Sequence, residues 1–176
     1  MAGGTSLTGK IKIVSEWLFK NKVNTLAKQP PQEQGAKEYS TDFAYGTGEN
    51  QVNQHWLDSR IVTTSSLTDD LDFNGSLTNI FGESILLTTI REIVIKNKST
   101  VAGDDLLIGG AVANAFTVIA GASPSASLLL RASGIFVLSA PLDGYDVSAG
   151  AEDTLRIEHA GTSEAINYDI ILKGTE

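Results

Sequence analysis

The sequence predicts an all-β protein: an antiparallel β-sandwich, with a jelly roll as its leading topology, preceded by an extended N-terminal arm. Three observations carry this expectation. From Ile61 onward, turn-forming pairs recur about every 8 to 15 residues, and no helix-length periodic segment separates them. The composition, with 17 glycines and frequent Ile, Val, Leu, Thr and Ser, suits short strands joined by glycine turns. Alternation marks half-buried strands: Leu155 and Ile157 share one face and Arg156 and Glu158 the other, while Tyr168, Ile170 and Leu172 alternate with Asp169, Ile171 and Lys173.

Taken in order, Lys10-Ile-Lys-Ile-Val14 alternates like a short strand. From Ser15 the period changes. Phe19, Val23, Leu26 and Ala27 fall on one helical stripe, with Ser15 placed to cap and Glu16 in the first turn, so a short helix is expected over 15–28, ended by Pro30-Pro31. From Gln29 to about Arg60 the chain is polar, with isolated aromatics at Tyr39, Phe43, Tyr45 and Trp56. A structureless stretch of that length is uncommon within a compact domain. It reads as a disordered linker or as an arm that orders against a neighbour, and the aromatics favour the arm. Residues 1–60 are therefore expected to form an N-terminal extension and 61–176 the sandwich.

Within the sandwich the expected strands are Ile61–Leu67, Asp69–Phe73, Ser84–Lys96, Asp105–Ile108, Ala115–Val118, Ser127–Arg131, Ile135–Leu138, Thr154–His159 and Ile166–Lys173. Turns are expected at Asn74-Gly75, Gly109-Gly110, Ser133-Gly134, Asp143-Gly144 and Gly161-Thr162. This spacing suits an antiparallel sandwich better than a βαβ fold, and leaves an immunoglobulin-like arrangement open beside the jelly roll. Leu128-Leu-Leu130 and Ile135-Phe-Val-Leu138 are apolar on both faces, so each is expected to be covered on both sides.

Charge and composition narrow the function. A formal net charge of −8 makes a phosphate backbone a poor partner, because nucleic-acid binding depends on a concentrated basic surface. Cysteine is absent, which removes disulfides and thiolate metal sites. No apolar run approaches the roughly 18 residues of a membrane span. Met1-Ala-Gly-Gly-Thr lacks the regions of a signal peptide, so a protein made in the cytoplasm and not secreted is expected, with no membrane partner.

No motif carries catalytic chemistry. Asp70-Leu-Asp-Phe-Asn-Gly75 fits the opening of a calcium loop, but the position that should supply a bidentate glutamate is Phe81, with Glu83 two residues late. An edge strand followed by an Asn-Gly turn is the expected reading, and no metal or cofactor is expected. His55 and His159 are the two histidines, and no nucleophile elbow, phosphate loop or zinc motif accompanies them. Gly109–Phe116 reads as a tight turn, and Asp104-Asp105 and Glu152-Asp153 as turn acids. Asn74-Gly-Ser76 and Asn97-Lys-Ser99 match the glycosylation pattern, which has no bearing without secretion. The candidate functional residues are therefore aromatic interface anchors in the first third: Trp17, Phe19, Tyr39, Phe43, Tyr45 and Trp56, with Trp17 and Trp56 equally able to pack on their own domain.

The stretch Leu67–Gly82, flowing into Ile85–Asn97, resembles small structural proteins of tailed-bacteriophage virions. In those, an Asp-Leu-Asp-Phe strand, an Asn-Gly-Ser-Leu-Thr turn and a Phe-Gly step precede a long strand ending in Lys-Asn. Asn50–Trp56, Gly109–Phe116, Pro141–Val147, Asp153–Ile157 and Tyr168–Gly174 extend the resemblance, while Met1–Glu49 falls outside it. The resemblance implies a virion component without catalytic residues. Its expected role is capsid decoration or cementing, with the major capsid protein or other virion proteins as partners and homo-oligomers, trimers among them. A tail, portal-proximal or fibre-anchoring component and a virion-surface carbohydrate-binding module are the alternatives.

Overall fold

The structure is a computed structural model that describes residues 7–20, 32–119, 121 and 126–176. The strands are, in chain order, β1 (Gly9–Lys20), β2 (Gln32–Tyr45), β3 (Gln51–Val52), β4 (Gln54–Thr63), β5 (Thr68–Asp72), β6 (Asn74–Thr78) and β7 (Ser84–Leu86). They continue with β8 (Thr89–Asn97), β9 (Asp105–Gly109), β10 (Ser127–Leu130), β11 (Ile135–Ser139), β12 (Tyr145–Asp146), β13 (Thr154–Ala160) and β14 (Ala165–Thr175). The described residues contain no helix. The fold is all-β and sandwich-like.

Eight strands form two antiparallel sheets, ordered β4-β14-β8-β11 and β5-β13-β9-β10, with β12 pairing the start of β8. Counted along the chain among these eight, the first sheet runs first, eighth, third, sixth, and the second runs second, seventh, fourth, fifth. One core lies between them. Ile166, Tyr168, Ile170 and Leu172 of β14 and Ile93 and Ile95 of β8 meet Leu155 and Ile157 of β13 and Leu106 and Ile108 of β9. This is the alternation expected from the sequence, and burying each such side chain contributes roughly 1.5–3 kcal/mol. The short β6–β7 hairpin adds Leu77, Ile85 and Leu87 to the core, and Phe73 meets Phe116 edge to face at 5.3 Å.

A partly buried polar triad ties the sheets together where β4 hands over to β5. Arg60 grips Asp69 with Nε at 2.5 Å and Nη2 at 2.8 Å, and the fully buried Tyr168 donates its hydroxyl to the same carboxylate at 2.6 Å. Burial acts to raise the Asp69 pKa, but the bonds from Arg60 and Tyr168 outweigh it and hold the carboxylate below its usual range. Burial and the neighbouring carboxylate push the Tyr168 phenol well above its ordinary value.

Several expectations need correction. No helix forms over 15–20: these residues continue β1, and 21–28 lie outside the described residues. Odd positions from Ile11 to Trp17 share one face of β1, and pairing with β2 rewards that two-residue period over the helical stripe. The polar stretch before Arg60 is largely strand, because β2 pairs with β1 from Gln32 to Phe43 and β4 begins at Gln54 as an integral sandwich strand beside β14. Ala115–Val118 is no strand. Ala115 makes one bridge to Thr154, and the segment is apolar because Phe116 plugs the core. Ser84–Lys96 breaks at Leu87-Thr88, where the backbone turns aside to bond Phe73 and Thr175. Gly75 lies within β6, and the turn falls at Phe73. Leu128, Leu129 and Ile135 are exposed, without the cover on both sides expected for their strands.

Candidate docking surface

β1 and β2 form a two-stranded ribbon registered from Gly9 opposite Phe43 to Lys20 opposite Gln32. At the rise of a strand this ribbon is about 40 Å long. Its two faces differ. One carries Lys10 with Asp42 at 3.3 Å and Lys12 with Glu38 at 2.9 Å, together with the exposed Val14 and Leu18. The other carries Ile11, Ile13 and Trp17 opposite Thr41, Tyr39 and Gly35, and ends at Phe43. Trp17 lies across Gly35 so closely that a Cβ there would meet the indole at 2.6 Å, which is why glycine sits opposite tryptophan. Trp17 is nevertheless 44% exposed, and Ile13 and Tyr39 are exposed beside it.

The base of the ribbon is fixed to the sandwich. Phe43 is 2% exposed, with the Lys173 ammonium 5.8 Å from its ring centre, and a Cβ on Gly9 would touch the Lys173 stem at 3.3 Å. Lys173 in turn bonds Glu92 at 2.8 Å, both buried, and the second Glu92 oxygen has no partner. The register between β14 and β8 slips at Lys173/Gly174, leaving Arg91 as an extra residue facing none of β14. That bulge aims the Arg91 guanidinium at the carbonyls of Leu142 and, at 3.3 Å, Gly48. The β2–β3 turn is thereby clamped, with Asn50 N–H donating to Pro141 at 2.8 Å. Thus the arm is rigidly rooted while most of its aromatic face is bare.

A second exposed apolar feature lies at the β6–β7 tip, where Ile80 is 88% and Phe81 80% exposed. Asn79 makes the turn rigid: its side-chain oxygen accepts from Phe81 N at 2.9 Å and Glu83 N at 3.0 Å, its amide reaches the Glu83 carboxylate at 2.9 Å, and Gly82 takes a positive φ. Two large apolar side chains are thus presented on a fixed turn.

The aromatic candidates separate accordingly. Trp17, Tyr39 and Tyr45 are exposed on or beside the arm. Phe43 anchors it. Trp56 is 5% exposed, packed in the core with its indole N–H donating to Thr78 at 3.1 Å, so it serves the fold and not an interface. The Phe19 side chain lies outside the described residues. Sequence reasoning missed Ile80, Phe81 and Arg91. An Asn-Ile-Phe-Gly turn was the available signal for the first two; a bulge leaves none for the third.

Polar groups elsewhere serve structure. The Asp70 carboxylate is taken bidentately by Arg156 at 2.7 Å, and Asp72 accepts from Asn74 N at 2.8 Å, so the calcium-like residues are engaged within the fold. Buried Asp104 accepts from Ser163 N at 2.9 Å, Ser99 Oγ at 2.8 Å and Thr162 N at 3.1 Å, and these bonds, Ser163 first, hold it well below the usual carboxylate range. His159 accepts from Gly161 N and bonds the Ser163 carbonyl, shaping the β13–β14 turn. His55 is lowered by burial and by nearby Lys173. Among the described residues no group of three or more His, Asp or Glu side chains is placed to hold a metal ion. No family model, curated protein or solved structure matches the chain.

Proposed function

We propose that this chain is a structural protein of a tailed-bacteriophage virion, a capsid decoration protein that binds the shell through its arm and acts without catalysis. One observation carries the reading: a β-ribbon is rooted in the sandwich by buried contacts, and among the described residues its aromatic-bearing face is left exposed. A two-stranded ribbon is marginal in water unless its apolar face is packed, so such an arm favours a partner surface. The resemblance of Leu67–Asn97 to virion proteins supports that partner being the major capsid protein or another virion component, reached after synthesis in the host cytoplasm. The strand order first-eighth-third-sixth against second-seventh-fourth-fifth, antiparallel throughout, is read here as a jelly roll.

The mechanism is mechanical. The sandwich is a rigid block, and the arm adds contact area across a seam between capsomers. The fixed Ile80–Phe81 tip supplies a second anchor at little ordering cost, since its turn is already hydrogen-bonded. Net negative charge keeps the free protein soluble and argues against nucleic acid as the target. Quantitative mass spectrometry of purified particles tests the role. Hundreds of copies per particle are expected; three to a few dozen would place the chain in the tail, portal or fibres, and absence would overturn a virion role.

A further inference from the structure

The arm's sheet runs β1-β2-β3, so among the described residues one edge of β1 has no strand beside it. Folded proteins ordinarily protect such an edge with a bulge, a proline or free lysines. Between Gly9 and Phe19 that protection is missing. The register with β2 is continuous, the segment holds no proline, and Lys10 and Lys12 are neutralised by Asp42 and Glu38. Apolar side chains stand exposed on both sides of this edge, Ile13 and Trp17 on one and Val14 and Leu18 on the other. A long, regular edge of this kind is a template for a further strand.

The charge order along the edge selects that strand. Lys12 lies two residues before Val14 and Glu16 two after it, and Glu16 makes no ion pair among the described residues. Laid antiparallel to a second β1 about a two-fold axis at Val14, each Lys12 falls opposite Glu16 of the other copy, and each Ile11 opposite Trp17. Gly9–Phe19 then pairs throughout, and odd positions meet odd ones, so each side of the ribbon continues across the seam. The neighbouring registers are poorer. A two-fold at Ser15 sets Lys10 opposite Lys20, and one at Ile13 shortens the pairing to Gly9–Trp17.

We infer that two copies join by antiparallel pairing of their β1 edges centred on Val14, making one sheet ordered β2-β1-β1-β2 across the seam. A second copy is the partner because the edge is complementary to itself in charge and in its apolar positions. Pairing occupies the edge alone and leaves the aromatic-bearing side of the arm open to a shell. The inference shares the arm with the proposed virion role and does not depend on it.

The absence of cysteine makes the register directly readable. Full-length Lys12→Cys and Glu16→Cys are purified separately, then oxidised alone and as a mixture. A disulfide between chains is expected in the mixture only, because each cysteine faces the other's position, while like positions lie beyond the roughly 7 Å between Cα atoms that a disulfide spans. In sedimentation, Glu16→Lys and Lys12→Glu are each expected to weaken self-association about 10-fold, and their equimolar mixture to recover it. Both positions are exposed, so the thermal midpoint of the sandwich is expected to hold. A monomer at all concentrations would overturn the inference. So would charge variants that associate like the parent, or disulfides formed equally well by either cysteine variant alone. A monomeric protein that still loads onto particles in high copy would reject edge pairing and leave the virion role standing; a dimer absent from particles would do the reverse.

Discussion

Lys173→Met is expected to destabilise the protein by about 3–5 kcal/mol, because it strands the buried Glu92 carboxylate. Glu92 has one oxygen on the Lys173 ammonium and the other without a partner, so losing the ammonium leaves the carboxylate without a hydrogen bond. The change also strips the cation from the Phe43 ring at the root of the arm. Lys173→Met combined with Glu92→Leu is expected to regain most of the loss, since replacing a buried ion pair by apolar groups is often neutral or stabilising. Urea unfolding of the three proteins measures this. A single variant within about 1 kcal/mol of the parent would mean that the pair is solvated as a surface pair is, and that the root of the arm is not closed.

The two tryptophans provide the second large effect, by contrast. Trp56→Ala is expected to cost about 3–5 kcal/mol, since it empties a core site and leaves the Thr78 carbonyl without the indole donor. Trp17→Ala is expected to cost below about 1 kcal/mol in the dilute protein, because its indole is 44% exposed and packs against Gly35 of the ribbon. Fluorescence separates them: Trp17→Ala retains the blue-shifted emission of a buried indole and Trp56→Ala the red-shifted emission of an exposed one. Equal costs would contradict the division of roles between core and arm.

The inner faces of β8, β13 and β14 were legible because alternation is a local signal, and Tyr168, Ile170 and Leu172 all point inward as their spacing predicts. The pairing of β1 with β2 was not legible in the sequence. β2 is polar along one face and gains its strand conformation from β1, across residues 21–31, which no local window reads. The helical stripe through Phe19 competed with the odd-position pattern through Ile11, Ile13 and Trp17, and cross-strand pairing decided it. Trp56 was misplaced because its neighbours Leu57 and Ile61 are apolar yet face outward, which blurs the alternation of β4. Arg91 owes its role to a bulge, and the exposure of Phe81 to the hydrogen bonds of Asn79; neither is a property of composition.

Amide hydrogen exchange of the full chain, dilute and on particles that carry it, tests most directly the claim that the arm is the docking element. Residues 9–20 and 32–45 are expected to exchange rapidly in the dilute protein and to become protected on the particle, with the sandwich strands β8 and β14 protected in both. An arm that exchanges equally in the two states, with protection gained elsewhere, would contradict the account.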